Sequence, residues 1–361
     1  MKKTLSVILA LFMALSVLAF AVSAQGTAIN GANWMSTLEG SVPITAINMP
    51  GTHDSMTQYA SASVIARTQT MSVSEQLYSG VRYFDMRTKT KNGKLIGVHG
   101  VTECKESYGL FSKTLLLKDV VESCKSFLSE NSGETILFLL RSEGESGTAL
   151  FSRFYDSCIA PSPESWFIEN RIPTLSEARG KIVLLRSAEA DGERFDNTNS
   201  GINFEKYPYI SSKKMNDFRF SVISDVSGYP YAYMYVQDSY KLEGKKKTET
   251  IKNFLESDLD VNDFNICCTN AAGSKPAQLN AKEINAFLMS YNFTAGKTYG
   301  IIAMDFVTKE LCEKVYMTNA PLMTKEAAQT NIPSFAEKYG FMGKFLEVFR
   351  DLFLKILLVF A

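Results

Sequence analysis

Short apolar runs alternate along the chain with segments of helical periodicity, and this alternation predicts a parallel α/β architecture. Ile44–Asn48 reads as a short strand running into a Pro50-Gly51 turn, which puts His53 just past a strand end. Ser74–Leu77 reads as a helical turn leading to Gly80, and Val81–Met86 as the next strand. Asn92-Gly93 is a strong hairpin signal, so Lys94–Val98 returns as a strand to His99. Leu115–Glu130 carries Leu116, Val120, Val121, Cys124, Phe127 and Leu128 at helical spacing. Thr135–Leu140 and Ile182–Leu185 are continuous apolar runs, the pattern of parallel strands buried on both faces. Tyr229, Tyr231, Tyr233 and Tyr235 alternate, which predicts a strand with one aromatic face leading to Gln237-Asp238-Ser239-Tyr240. Phe264–Thr269 predicts a strand, Ala281–Tyr291 a helix, and Tyr299–Met304 a last buried strand ending at Asp305.

Polar and charged residues recur where these strands stop: His53, Asp85 with Arg87, His99, Arg141, Arg186, Asp238 and Asp305. One such charge simply ends a strand. A series of them fits a barrel of parallel strands, whose C-terminal ends meet at one mouth. The length suits one large domain or two ordinary ones, and a (β/α) barrel of about 250–300 residues uses most of it.

The two ends read differently. Lys2 and Lys3 precede an apolar stretch from Leu5 to Val22, and Val22-Ser23-Ala24 offers a small-residue cleavage site. Residues 1–24 are therefore expected to be a secretory signal peptide, with a secreted mature chain starting at Gln25; an uncleaved anchor is the alternative. Residues 25–320 are expected to form the barrel and 321–340 a linker marked by Pro333 and Gly340. In 341–361, Phe341, Phe345, Leu346, Phe349, Leu352, Phe353, Ile356 and Leu357 recur at helical steps opposite Lys344, Glu347, Asp351 and Lys355. That is an amphipathic helix, suited either to a membrane interface or to packing on a protein surface.

Charge excludes one class of partner. The 38 basic and 38 acidic residues balance, and loss of Lys2 and Lys3 leaves the chain slightly acidic, so no nucleic-acid surface is expected. The 24 Phe and 16 Tyr suit a strand-rich core or contact with lipid or sugar rings. Six cysteines (Cys104, Cys124, Cys158, Cys267, Cys268, Cys312) show no zinc spacing, and a chain this long needs no staples to fold.

The chemistry rests on a scarcity. The chain has two histidines, His53 in Met-Pro-Gly-Thr-His-Asp-Ser (49–55) and His99 in Gly-Val-His-Gly (97–100). Two imidazoles can share acid–base work near neutral pH, and Arg87, between them in sequence, can grip a phosphate by two parallel hydrogen bonds. These are the parts for breaking a phosphodiester without a metal. The competing reading makes each histidine a satisfied structural residue.

Taken together, 49–55, the Val-Arg-Tyr-Phe-Asp-Met-Arg run (81–87), Val-His-Gly (98–100), Ala-Arg-Gly-Lys-Ile-Val-Leu-Leu (178–185), Val-Gln-Asp-Ser-Tyr (236–240) and the strand ending at Asp305 resemble bacterial phosphatidylinositol-specific phospholipase C. The resemblance covers roughly residues 40–315 and implies an irregular TIM-type (β/α) barrel. It implies His53 as general base on the inositol 2-hydroxyl, oriented by Asp305; His99 as general acid supported by Asp54; and Arg87 as the phosphate cation, oriented by Asp85. Arg141, Asp238 and Tyr240 fall where the family contacts inositol hydroxyls. The implied partner is phosphatidylinositol in membranes, met by peripheral contact, with inositol-glycan anchors of surface proteins as a second substrate class.

Two departures matter. The family has a basic residue that touches inositol just after the Lys-Ile-Val-Leu-Leu strand; here Arg186 comes one position early and Ser187 follows, so either Arg186 substitutes or that contact is lost. No tryptophan stands in Met56–Tyr78, where bacterial members carry part of their lipid-docking surface. Calcium-dependent relatives ring the phosphate with carboxylates, whereas a guanidinium at 87 repels a cation, so no metal and no cofactor are expected. A phosphodiesterase acting on another glycerophospholipid headgroup and a non-catalytic inositol-lipid binding module are the alternatives; only the second dispenses with the histidine pair.

Overall fold

A computed structural model describes residues 29–144, 147–207, 218–223, 232–325 and 327, and the body considered below is Asn30–Leu322. Its strands are β1 (Met49–Thr52), β2 (Tyr83–Lys91), β3 (Lys94–His99), β4 (Thr102–Glu103), β5 (Ile136–Ser142), β6 (Trp166–Phe167), β7 (Ile182–Arg186), β8 (Ile202–Asn203), β9 (Phe218–Ile223), β10 (Ala232–Gln237), β11 (Phe264–Cys268) and β12 (Ile301–Met304). They hydrogen-bond in the order β6-β7-β5-β2-β1-β12-β11-β10-β9. Every pairing from β6 to β10 is parallel, and β9 joins antiparallel. This is the curled, irregular barrel expected from the pattern: strands run round it nearly in chain order, with β12 closing on β1.

Burial explains why these runs are strands. Ile136–Leu140 and Ile182–Leu185 are solvent-free because neighbouring strands occupy both edges and side chains cover both faces. Helix α1 (Ser63–Ala66) is one turn beside the mouth. Helix α2 (Val73–Ser79) opens with a capping box in which Ser72 Oγ accepts from Glu75 N and the Glu75 carboxylate accepts from Ser72 N. It ends at Gly80, whose φ of +111° strains any residue with a Cβ, and a Cβ there would also press on Tyr316 at 3.0 Å. Helix α3 (Leu117–Glu130) buries Leu117, Val120, Val121, Cys124, Phe127 and Leu128 as one stripe.

The first strand differs from expectation. Ile44–Ala46 is a 3₁₀ turn, and β1 takes in Pro50 and Gly51 rather than turning at them. Pro50 precedes the first residue paired with β2, so its missing N–H falls before that ladder, while its carbonyl accepts from Arg82 N at 2.9 Å. Gly51 is needed because a Cβ there would lie 2.8 Å from the Tyr83 ring. His53 still lies just past the strand end. The Asn92-Gly93 hairpin forms as expected, both residues having positive φ (50° and 76°), and joins β2 to β3.

Among the described helices of eight residues or more, two escape the sequence pattern: α4 (Gly244–Glu256) and, after α5 (Ala277–Ser290), α6 (Lys309–Tyr316). The lysine run at 245–247 hides the inner face of α4, because Lys247 is itself fully buried among Ile251, Phe254 and Leu255. Of the tyrosine series, Tyr235 stacks on Phe254 at 5.4 Å and Tyr233 is exposed, while Tyr229 and Tyr231 lie outside the described residues. The expected signal peptide (1–24), the helix at 341–361 and all of the linker from 328 on also lie outside them. Among the described residues no helix is long and apolar enough to cross a membrane. All six cysteines are buried, and none forms a disulfide.

The end of the barrel opposite the mouth holds a buried ion pair. Arg82 donates from Nε (3.0 Å) and Nη2 (2.7 Å) to Glu134, and also to the carbonyls of Leu77, Val81 and Gly31. Glu134 in turn accepts from the Met35 and Ser36 amides, tying the N-terminal segment to β2 and β5.

Candidate active site

The mouth is built from strand ends. β1 delivers His53 and Asp54, β2 Asp85 and Arg87, β5 Arg141 and Glu143, β10 Asp238 and Tyr240, β11 Asn270, and β12 Asp305. The β2–β3 hairpin folds back and brings His99 to the same place. A cavity of about 550 Å³ is lined by His53, Arg87, His99, Arg141, Glu143, Asp238, Tyr240, Asn270 and Asp305, and it runs on to the Gly273–Ala277 loop before α5.

The two imidazoles lie 6.3 Å apart, centroid to centroid, and nearly perpendicular. His53 Nδ1 is 2.8 Å from Asp305 Oδ1, which leaves Nε2 facing the cavity side, 3.2 Å from Asp54 Oδ2. His99 Nδ1 is 2.8 Å from the Ala66 carbonyl of α1, so it carries the proton there, and Nε2 lies 3.3 Å from the same Asp54 oxygen. Asp54 adopts φ +45°, an uncommon left-handed conformation that turns its carboxylate inward. Its other oxygen is 2.8 Å from Arg87 Nε. One carboxylate thus touches both histidines and the arginine.

Arg87 is held on three sides. Asp85 Oδ2 accepts from Nε (3.0 Å) and Nη2 (2.9 Å), and Glu143 Oε1 accepts from Nη1 (2.9 Å). Glu143 also accepts from the Gly100 amide, linking the arginine to the loop that carries His99. Arg141 Nη1 lies 3.6 Å from Asp85 and its guanidinium stacks 4.8 Å above the Tyr207 ring. Asp238 lines the cavity with Tyr240 beside it, and the neighbouring Ser239 has φ +34°.

The electrostatics follow from this crowding. Burial pulls the His53 imidazole down, but the Asp54 and Asp305 carboxylates outweigh it and raise it to about 9. Burial works against ionised Asp85, yet Arg87 and Arg141 hold its carboxyl well below the usual range. Burial pushes the Asp238 carboxyl up against the pull of Lys247.

Nine of the ten residues singled out from the sequence lie at this mouth. Arg186 does not line the cavity: its guanidinium is taken up by the Ala188 carbonyl just past β7 and by the Ser200 carbonyl and Glu205, which flank β8 where it pairs alongside β7. The sequence reading missed Glu143 and Gln69. Glu143 stands two residues after Arg141 on the same strand end, and the period of two was the available signal. Gln69, fully buried, donates to the carbonyls of His53 (2.9 Å) and Met304 (2.8 Å) and locks the histidine's strand to Asp305's; nothing in the sequence around it marks that role.

His53, Asp54 and Asp85 offer donor atoms within 4.8 Å of one another, spacing that a cation could bridge. The Arg87 guanidinium already bonds both carboxylates, and its fixed charge opposes a second cation at the same oxygens.

Comparison with known proteins agrees with the geometry. Residues 47–188 match the family described as "Phosphatidylinositol-specific phospholipase C, X domain". The 1-phosphatidylinositol phosphodiesterase of Listeria monocytogenes is 27% identical over 305 residues, 79% of this chain and 84% of the relative. The protein of the same description from Staphylococcus aureus (strain Newman) is 29% identical over 238 residues, 62% of this chain and 69% of the relative. Among solved structures, the S. aureus phosphatidylinositol-specific phospholipase C superposes with a TM-score of 0.63 at 23% identity, covering 80% of this chain and 98% of that one. The L. monocytogenes enzyme gives 0.57 at 23% identity, covering 81% and 99%.

Proposed function

We propose, since this chain belongs to the phosphatidylinositol-specific phospholipase C family, that it is a lyase that cleaves phosphatidylinositol to diacylglycerol and inositol 1,2-cyclic phosphate. The observation that carries the reading is Asp54 bridging both imidazoles and the Arg87 guanidinium, which gathers an acid, a base and a cation within reach of one phosphorus.

In this mechanism His53 Nε2 takes the proton of the inositol 2-hydroxyl, and Asp305 on Nδ1 steadies the imidazolium that results. The freed oxygen attacks phosphorus in line. The bond to the diacylglycerol oxygen breaks, and His99 Nε2, backed by Asp54, protonates the leaving oxygen. Arg87 offsets the charge gathering on the phosphoryl oxygens, already fixed by Asp85 and Glu143, so little reorganisation is needed. A vicinal hydroxyl is an intramolecular nucleophile, which favours the cyclic product over direct hydrolysis. Arg141, Asp238 and Tyr240 line the cavity where ring hydroxyls would lie, and hydroxyl-matching groups reject headgroups that lack them.

The substrate is membrane phosphatidylinositol, reached by peripheral contact. The cavity's continuation to Gly273–Ala277 supports inositol-glycan anchors as a further substrate class. Secretion belongs to the same reading and rests on the leader-like stretch at 1–24.

The test is turnover of phosphatidylinositol in a chelator. Full activity with inositol 1,2-cyclic phosphate as product is expected; activity lost in chelator and restored by calcium overturns the metal-independent mechanism. A second expectation concerns pH. A base must be neutral to accept a proton, so kcat/KM rises with pH until His53 has titrated near 9. Asp305→Asn removes one carboxylate that holds the proton, so the limb moves to lower pH while kcat falls. A limb that stays put excludes the Asp305–His53 coupling. The folded value lies above the unfolded 6.5, so this proton's stabilisation is complete below pH 6.5 and is lost as pH rises through about 9.

A further inference from the structure

Beside the mouth, the chain between β4 and α3 makes a small hairpin of its own. Lys105 bridges to Thr114, Glu106 N donates to the Lys113 carbonyl at 3.0 Å, and Ser112 N closes the turn on the Gly109 carbonyl at 3.2 Å. Its tip, Ser107-Tyr108-Gly109-Leu110-Phe111-Ser112, has no charged residue. Leu110 and Phe111 are 93% and 94% exposed, two adjacent large apolar side chains with almost no protein around them. Single exposed leucines are ordinary, but a paired apolar tip held out on a built hairpin is not.

The hairpin is anchored to the rim. The Tyr108 ring packs edge-on against Tyr59 at 4.7 Å, and its hydroxyl accepts from Arg67, next to cavity-lining Thr68. Two more exposed apolar residues stand on the same rim: Ile65 of α1, 73% exposed and itself lining the cavity, and Val101, 93% exposed and following cavity-lining Gly100. The hairpin also feeds α3, whose far end leads into β5, so α3 starts on the mouth side of the barrel. The exposed apolar residues are thus continuous with the opening through which a lipid headgroup would enter.

From these observations we propose that the 106–113 hairpin is a membrane wedge: Leu110 and Phe111 insert among acyl chains at the bilayer interface, with Ile65 and Val101 at the same surface, and hold the mouth against the substrate's headgroup. The inference rests on the phospholipase reading for its partner, a phospholipid bilayer. A tip without charges enters the interface with no ion to desolvate. Burial of the two side chains, partial at an interface, accounts for about 10–100-fold in partitioning.

The full chain is tested on phosphatidylcholine vesicles containing phosphatidylinositol. Leu110→Ser/Phe111→Ser is expected to lower vesicle partitioning by about 10–100-fold and vesicle hydrolysis in parallel, with turnover of short-chain monomeric phosphatidylinositol unchanged. Phe111→Trp reports the tip directly, because both native tryptophans, Trp34 and Trp166, are buried at 1% and 4% exposure. Its emission is expected to shift blue on vesicles and to be quenched by brominated acyl chains. Emission that neither shifts nor is quenched overturns the wedge, even if another segment of the chain holds it on the vesicle. So does a double variant that alters self-association and leaves partitioning intact, which would make the tip an interface between copies. If wild type turns over no monomeric phosphatidylinositol, the lyase reading fails, while the tryptophan signal still judges the wedge.

Discussion

His53→Ala is expected to lower turnover of phosphatidylinositol by at least about 10²–10⁴-fold, the usual worth of a positioned general base. The loss falls on kcat more than on KM, since the imidazole acts on a proton in flight. His99→Ala should lose a similar factor, because the diacylglycerol alkoxide is a poor leaving group without its proton. The two losses should not add in full: both side chains share Asp54, and residues that act as one unit give non-additive variants. Steady-state kinetics on the single and double variants check this. A double variant whose loss equals the product of the single losses would show that the imidazoles work independently. Lipid binding by His53→Ala at undiminished affinity is compatible with catalysis; undiminished turnover would remove His53 from the role of base, and a wild type that binds phosphatidylinositol without turning it over would leave only the binding-module reading.

Arg82→Met is expected to cost about 3–5 kcal/mol of folding stability, because it leaves Glu134 buried beneath the barrel without its cation. The guanidinium also fills a slot against the Phe127 ring, 4.6 Å from its centroid, and donates to the Leu77, Val81 and Gly31 carbonyls, bonds that the variant loses. Urea unfolding measures this as a lower midpoint at unchanged slope. Arg82→Met/Glu134→Gln should recover part of the loss, since no unpaired charge remains. A single variant within about 1 kcal/mol of wild type would mean that water reaches Glu134 and that the pair is not buried in solution.

The contrast between Arg82 and Arg87 shows where sequence reading stops. Both stand in one apolar run, five residues apart. Strand alternation sends them to opposite faces, and the direction of the strand sends them to opposite ends of the barrel, so one becomes a structural ion pair and the other the cation of the site. Among their neighbours in sequence only Asp85, two residues before Arg87, hints at the difference; Glu134 and Asp54, far away in the chain, complete it. Arg186 makes the same point. It ends an apolar strand as Arg141 does, but a two-residue strand, β8, far too short to leave a pattern, brings its flanking residues Ser200 and Glu205 alongside, and these take it out of the cavity.

What the chain determines by itself is the supply and order of parts: buried parallel strands as unbroken apolar runs, a hairpin written in Asn92-Gly93, and two histidines each within two residues of a glycine. Local rules suffice there, because strand burial, turn conformation and residue type are properties of a few neighbouring positions. Tertiary structure alone decided that a single carboxylate, Asp54, serves both imidazoles and the guanidinium, that Gln69 and Glu143 brace them, and that Pro50 sits inside a strand. Those facts depend on distances between segments up to 252 residues apart, as for His53 and Asp305, and only closure of the sheet brings such segments within 3 Å.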